Sequence, residues 1–309
     1  MESKIAILLS VYNGEKYLAE QLDSLYKQQD VDICILVRDD GSSDSSLSIL
    51  EKYKDLYGNM IIIKGENIGC SRSFYTLLQY AYENLKDYNF FSFCDQDDVW
   101  MENKLSTSIR YLSKTQKKYA FFHSAYYITD EELNIISKNR FVDNTLENNI
   151  ISNFCLGCTQ AFNRALLEKI LLICKYQINN KINLIIHDAL SSLTAFSLDA
   201  DIYYSKEPTM YYRQHKHNVI GTSNNILINN YKRFERFIYK SPNIKSNKCK
   251  LMINAIGDNI SPSEKNILNM CAYYNLKNNK KNLLLHKRMY SRGIVYSVGF
   301  IISVLMNKF

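Results

Sequence analysis

The chain has 309 residues, 46% hydrophobic and 22% charged, which gives enough apolar content for a large core and too much for a disordered polyelectrolyte. Ten glycines and three prolines exclude collagen-like and low-complexity architectures, and no apolar run reaches the roughly 18 residues needed to cross a bilayer. The net charge of +7 hides a division: residues 226–309 hold 15 Lys/Arg against Glu235, Asp258 and Glu264, whereas residues 1–225 hold 23 basic and 28 acidic groups.

Strand-like and helix-like patterns alternate over the first hundred residues. Lys4–Ser10 is an apolar strand, and Tyr17, Leu18, Leu22 and Leu25 set a helical period within Glu15–Gln29. Asp32–Arg38 is a second strand, followed by a helix over Asp44–Tyr57 with Asp44 or a neighbouring serine as its cap. Met60–Lys64, Ser71–Leu85 and Asn89–Cys94 continue as strand, helix and strand. Such alternation implies right-handed βαβ crossovers and a doubly wound α/β domain whose mainly parallel sheet is covered on both faces. Strands are expected near Tyr119–His123, Gly157–Asn163 and Asp201–Ser205, and helices at Arg164–Cys174 and His187–Phe196. Beyond residue 225 the pattern is helical, near Leu227–Ile238, Lys248–Ala255, Ser261–Leu276 and Asn282–Leu305. The chain therefore reads as a catalytic domain over 1–225 and a basic helical extension over 226–309. A start that enters a strand almost at once leaves no secretory signal, and eight cysteines without one point to free thiols in the cytoplasm.

Ligands of open parallel sheets bind beyond the carboxyl ends of the strands. Here those ends carry Ser10–Glu15, Asp39–Asp44, Asn67–Arg72 and Asp95–Trp100, four polar clusters on one edge. Asp95, Asp97 and Asp98 repel one another within four residues, which calls for a compensating cation or strong hydrogen bonding. Carboxylate oxygens together with substrate phosphates are the ligands that Mg²⁺ and Mn²⁺ take. The competing reading is an acidic turn capping a helix that starts near Met101.

The segments SVYNGEKYL, VRDDGSSDSS, NIGCSRSF and DQDDVW resemble family 2 glycosyltransferases of the GT-A fold, and FCDQDDVWMENKL is similar to the bacterial rhamnosyltransferase branch. CLGCTQAFNRAL, IIHDAL and YYRQHKHNVIG follow in the order that family shows, so the resemblance covers about residues 4–222. It implies a Rossmann-type sheet with helices on both faces and inverting, metal-dependent sugar transfer from a nucleotide donor. By the same resemblance Asp40 contacts the nucleotide base, the backbone of Val11, Tyr12 and Asn13 lines that pocket with Glu15 nearby, and Arg72 approaches the diphosphate. Asp95 and Asp97 form the Asp-x-Asp that holds Mg²⁺ or Mn²⁺, with Asp97 the more direct ligand and His215 a further metal contact. Asp188 matches the general base, and the favoured donor is dTDP-L-rhamnose, with UDP-sugars as the alternative. The sequence departs from the family pattern at Val11, where Thr is common, at Ser73, where Asn is common, and at His187, where Glu often precedes the base.

The bland readings stand beside these. His187-Asp188 would serve equally as a helix N-cap pair, Cys155 and Cys158 read as strand cysteines because no second pair completes a zinc site, and Trp100 as a core residue under the acidic loop. A nucleotidyltransferase would need a Gly-x-Gly-Thr-Arg loop after the first strand, and a dehydrogenase Gly-x-Gly-x-x-Gly; neither occurs. A catalytically silent glycan- or membrane-binding protein remains as a further alternative. In the tail, Tyr231, Phe234 and Phe237 interleave with Lys232, Arg233 and Arg236, a spacing that serves packing as well as nucleic acid, and no nucleic-acid partner is expected. The uncharged run Gly293–Leu305 behind Lys287, Arg288 and Arg292 is too short to span but suits an anionic membrane surface, with packing onto the catalytic domain as the competing reading.

Overall fold

A computed structural model of the chain describes residues 4–216 and 243–309. The chain divides into two compact units with interleaved segments. The first comprises the chain up to Phe141 with Cys155–Ser191 and Ala200–His215; the second comprises Val142–Phe154, Ser192–Asp199 and the chain from Lys216 to Phe309. The sequence boundary at 225/226 falls outside the described residues, as does the helix expected at Leu227–Ile238.

The first unit is built on a nine-stranded mixed sheet in the order β3-β2-β1-β4-β8-β6-β9-β5, with β7 added to β6. Its first half comprises β1 (Lys4–Val11), β2 (Asp32–Asp39), β3 (Met60–Lys64) and β4 (Phe90–Cys94), all parallel. The crossover helices α1 (Leu18–Tyr26), α2 (Ser46–Tyr57) and α3 (Cys70–Asn84) sit within a residue or two of the spacing-based expectation on most edges. β1 shows why both faces are covered. Ile5, Ile7 and Leu9 enter one apolar cluster with Leu18, Leu22 and Leu25 of α1, while Ala6 and Leu8, pointing the other way, are equally inaccessible.

The second half of the sheet differs from expectation. The segment expected as one strand, Gly157–Asn163, is a 3-10 turn at Gly157–Thr159 followed by the short β8 (Ala161–Asn163), antiparallel to β4 and β6. β6 (Ala120–Thr129) and β9 (Asp201–Arg213) are much longer than their apolar cores, because each satisfies the other in a parallel ladder whose register shifts near Pro208. The Asp-rich loop does not cap a helix. It leads into β5 (Val99–Trp100), which pairs Val99 with Tyr211 and Trp100 with Met210, and α4 begins only at Lys104 and ends at Leu112. Trp100 is buried beneath that loop. β7 (Ile135–Lys138), α6 (Arg164–Asn179) and the first turn of α7 (His187–Ser197) complete this unit.

The second unit contains α5 (Leu146–Ile151), α8 (Ile244–Ile256), α9 (Pro262–Ala272), α10 (Lys277–Leu285) and α11 (Ile294–Leu305). The single helix expected over Asn282–Leu305 is broken between Leu285 and Ile294. A 3-10 turn at Lys287–Tyr290 intervenes, and Gly293 adopts φ 95°, a conformation that side chains disfavour. No helix among the described residues is long and apolar enough to cross a membrane.

Candidate active site

The carboxyl ends of β1, β2 and β4 are adjacent, and their loops are bound to one another by side chains. Asn13 Oδ1 accepts the Ser43 amide at 2.8 Å, and the Asn13 amide donates to Ser42 Oγ at 3.0 Å. The Glu15 amide donates to Asp44 Oδ2 at 3.0 Å, and the Ser45 amide returns a bond to Glu15 Oε2 at 3.0 Å. The Tyr12 amide donates to Gln96 Oε1 at 2.8 Å, tying β1 to the Asp-rich loop. Gly14 leaves room for this bond, since a Cβ would stand 2.6 Å from the same Gln96 oxygen and push that side chain aside. Of the predicted pocket residues, Val11 is fully buried, whereas Tyr12, Asn13 and Glu15 are exposed, the last two with side chains spent on this lacing.

Asp40 is buried and its carboxylate is already engaged. Oδ1 accepts from the Arg38 guanidinium and, at 2.9 Å, from the Ile68 amide, while Oδ2 accepts the Gly69 amide at 3.0 Å. Arg38 supplies the charge that permits a carboxylate in this position. The neighbouring Asp39 bonds the Ser42 amide through Oδ2 at 3.3 Å, and its buried Oδ1 makes no hydrogen bond. Arg72 is exposed on the first turn of α3.

Three of the predicted carboxylates converge. The Cys70 thiol, at the start of α3, is pushed up to about 12 by desolvation and then by Asp95, Asp188 and Asp40, which follow β4, open α7 and follow β2. Asp95 is itself pushed up to about 7, chiefly by burial and then by repulsion from Asp97 and Asp188. Asp97 and His215 are 118 residues apart, yet His215 Nε2 stands 2.8 Å from Asp97 Oδ2, with the His215 ring against Tyr17.

The Asp-rich loop rests on a residue that sequence reasoning left without a role. Arg213, 2% exposed, donates through Nε to the Asp97 carbonyl at 2.9 Å and through its amide to Asp98 Oδ1 at 3.1 Å; its guanidinium also meets Glu20 and the Glu131 carbonyl. It lies in YYRQHKH, two residues before His215, and its signal was the arginine embedded in that aromatic run. Asp98 is fully buried, and burial with repulsion from Asp97 and Asp95 raises its carboxyl well above the usual range. Lys104, buried beside it over the Trp100 ring at 4.4 Å, is pushed down to about 8 by burial.

Asp188 lies on the first turn of α7, buried, where the helix N-terminus favours the ionised form and the Ala189 amide donates to Oδ1. That turn is riveted by Gln160, also without a sequence-stated role: its Nε2 donates to the carbonyls of Asp188 at 3.0 Å and Cys155 at 2.8 Å, and its Oε1 accepts from Ser191. His187 turns inward. Its ring stacks on Phe74 at 3.6 Å and meets Phe93 edge-on at 4.7 Å, and both its nitrogens are buried without a hydrogen bond. Burial pushes it down to about 3, so it is neutral beside the carboxylates. Gly157 makes room for it, since a Cβ there would lie 2.4 Å from His187 Nε2.

Among the described residues one group of three potential metal ligands is drawn together here. Asp95, Asp98 and Cys158 gather their donor atoms within 4.8 Å. Cys158 is fully buried and its thiol is raised well above its usual range by burial, then by Asp98 and Asp95; as a soft donor it suits Mg²⁺ or Mn²⁺ less well than the carboxylates do. Cys155 lies in the preceding loop and Cys158 in the 3-10 turn, so neither is a strand cysteine as expected. Of the predicted trio Asp95, Asp97 and His215, only Asp97 and His215 are in direct contact, and the repulsion that Asp97 exerts on Asp95 is the kind a divalent cation offsets.

Comparison with known proteins places these observations. The description Glycosyl transferase family 2 fits residues 6–171. The dTDP-rhamnosyl transferase RfbG of Shigella flexneri is 32% identical over 222 residues, 70% of this chain and 74% of that protein. The minor teichoic acid biosynthesis protein GgaA of Bacillus subtilis is 31% identical over 153 residues, 48% of this chain and only 34% of that one. Among solved structures, S. aureus TarS in complex with UDP-GlcNAc shares 19% identity at TM-score 0.56, covering 86% of this chain and 70% of TarS. The mannosyltransferase PcManGT from Pyrobaculum calidifontis, in complex with GDP-Man and Mn²⁺, shares 14% identity at TM-score 0.56, covering 100% of this chain and 87% of PcManGT. The fold is that of the GT-A glycosyltransferases. The chain belongs to glycosyl transferase family 2 and is a glycosyltransferase.

Proposed function

We propose that the chain moves one sugar from a nucleoside-diphosphate donor to a glycan hydroxyl in a single inverting displacement. The favoured donor is dTDP-L-rhamnose, supported by the similarity to RfbG, and the acceptor is a growing cell-surface polysaccharide such as an O antigen or capsule, or a lipid-linked glycan. The observation that carries this reading is the contact of His215 Nε2 with Asp97 Oδ2 at 2.8 Å in the loop that follows β4, beside an Asp95 whose carboxyl is raised by Asp97 and Asp188. A UDP-sugar donor (galactofuranose, galactose, glucose or an N-acetylhexosamine) is the second reading, favoured by the likeness to TarS with UDP-GlcNAc.

In this scheme Asp188 takes the proton of the acceptor hydroxyl as its oxygen attacks the anomeric carbon. One base on the face opposite the leaving group suffices, and no carboxylate nucleophile is required. Asp40 and the backbone of Val11, Tyr12 and Asn13 hold the base, and Arg72 approaches the diphosphate. Asp95, Asp97 and His215 would hold Mg²⁺ or Mn²⁺, which when bound supplies Lewis-acid stabilisation of the departing diphosphate. Catalysis is assigned to residues 1–225 and attachment to the basic extension 226–309, on the cytoplasmic face of a bacterial plasma membrane.

A thermal-shift panel of dTDP, UDP, GDP and CMP, each with and without Mn²⁺, tests the reading. A ligand of the native state raises the melting temperature according to its affinity. Stabilisation by dTDP only with metal, lost in Asp97→Ala, is expected; stabilisation by UDP selects the second donor class, and no shift under any condition removes the nucleotide-dependent reading.

A further inference from the structure

We infer that α11 is a docking face for an anionic bilayer surface, and that Ile294, Val298, Ile301 and Leu305 are the side chains that enter it. At about 100° per residue these four fall within an arc of about 60° on the helix. Ile294 is 83% exposed, Val298 43% and Leu305 57%, and Ile301 is partly so, while Phe300, Ser303 and Val304 on the opposite side are fully buried. Phe300 packs edge-on against Tyr290 and Phe309, which fixes the face the helix turns to its own unit and leaves the apolar stripe outward.

A stripe of branched apolar side chains at this exposure is costly in water, and its surroundings name what covers it. Residues 243–309 carry 11 Lys/Arg against Asp258 and Glu264. The Arg292 guanidinium lies 4.7 Å over the Tyr296 ring at the start of the helix, and Lys287 and Arg288 stand exposed just before it. At the far end Lys280 donates to the Leu305 carbonyl at 3.3 Å and to Asn307 Oδ1 at 3.0 Å, which sets its ammonium beside the last turn. Cations thus stand at both ends of the stripe, the arrangement that anionic headgroups above an apolar layer complement. A helix of 12 residues is about 18 Å long, too short to cross the hydrocarbon core, so it lies along the surface. A polyanion such as nucleic acid would use the charges and leave the stripe in water.

This face deepens the membrane attachment proposed above and rests on that part of the reading, and it is tested without a donor, so that its failure leaves the transfer reaction untouched. The full chain is sedimented with vesicles of phosphatidylcholine alone and of phosphatidylcholine with one third phosphatidylglycerol. Binding to the anionic vesicles only is expected, weakened at high salt, and at least tenfold weaker in Ile294→Asn/Val298→Asn, which keeps every charge. Both positions are exposed, so that variant should keep the wild-type melting temperature, and Lys287→Glu/Arg288→Glu gives a second variant that weakens binding through charge. The inference fails if wild type ignores anionic vesicles or if the asparagine variant binds them as wild type does. A wild-type dimer in solution that the asparagine variant converts to monomer also overturns it, by showing that a second copy covers the stripe.

Discussion

The two sides of the candidate site are held in place by opposite kinds of chemistry. The Asp-rich loop is held by a charged group: the Arg213 guanidinium binds the Asp97 carbonyl and Glu20, while the Arg213 amide holds Asp98 and His215 meets Asp97. The turn that carries Asp188 is clamped by neutral groups, the Gln160 amide below and the uncharged His187 ring beside it. The contrast follows from what each side has to do. Carboxylates that share a divalent cation tolerate fixed charges around them. For the proposed base role a fixed cation at Asp188 would lower its proton affinity, and Gln160 and the neutral His187 ring add none.

The comparison breaks most visibly at the ionic side. Asp97→Ala should abolish metal-dependent stabilisation by a nucleotide and reduce transfer by about 10²-fold or more, about 3 kcal/mol of transition-state stabilisation, measured by melting with and without Mn²⁺ and by initial rates. Arg213→Met keeps the amide bond to Asp98 but leaves the Asp97 and Glu131 carbonyls without the buried guanidinium, and should cost on the order of 2 kcal/mol of stability in denaturant melts. Its survivors should need more Mn²⁺ for half-maximal activity, whereas a purely structural role would leave the metal dependence unchanged.

The neutral side is sharpened by smaller effects. Gly157→Ala forces its methyl against the His187 ring and should cost about 1–3 kcal/mol, most of it recovered when His187→Ser is added, a coupling that a double-mutant cycle reads directly. His187→Phe keeps the aromatic stack and should keep most activity, and its signature is in pH. The buried ring has its proton affinity lowered to about 3 from the ordinary 6.5, so the unfolded chain binds more protons between these values. Its contribution is therefore complete above pH 6.5 and lost as pH falls toward 3, and melting temperature should fall less steeply from pH 6.5 to about 4 in His187→Phe than in wild type.

The parallel half of the sheet was legible because each of its strands is a contiguous apolar run closed by polar turns; Met60–Lys64 has the same bounds in the sequence reading and in the structure. The mixed half was not. β5 has two residues and no period, β7 is exposed along its length, and β9 mixes Lys206, Glu207 and Pro208 with aromatics, so only pairing with β6 and β5 defines its extent. Candidate ligands were visible as residue types at strand ends. The supports, Arg213, Gln160 and Gly157, are visible only from partners as far as 193 residues away or from the space a side chain would fill. The break before α11 was likewise hidden, since one glycine in an apolar run does not announce its φ.

The most direct test of this division of labour is to measure donor affinity and turnover for Asp188→Asn on one preparation with saturating Mn²⁺. Turnover should fall by roughly two to four orders of magnitude while donor affinity stays near that of wild type, because the amide keeps the shape of the turn and loses only the proton acceptor. Full transfer activity in Asp188→Asn, or a loss of donor affinity as large as the loss of rate, would contradict the assignment of Asp188 as the base.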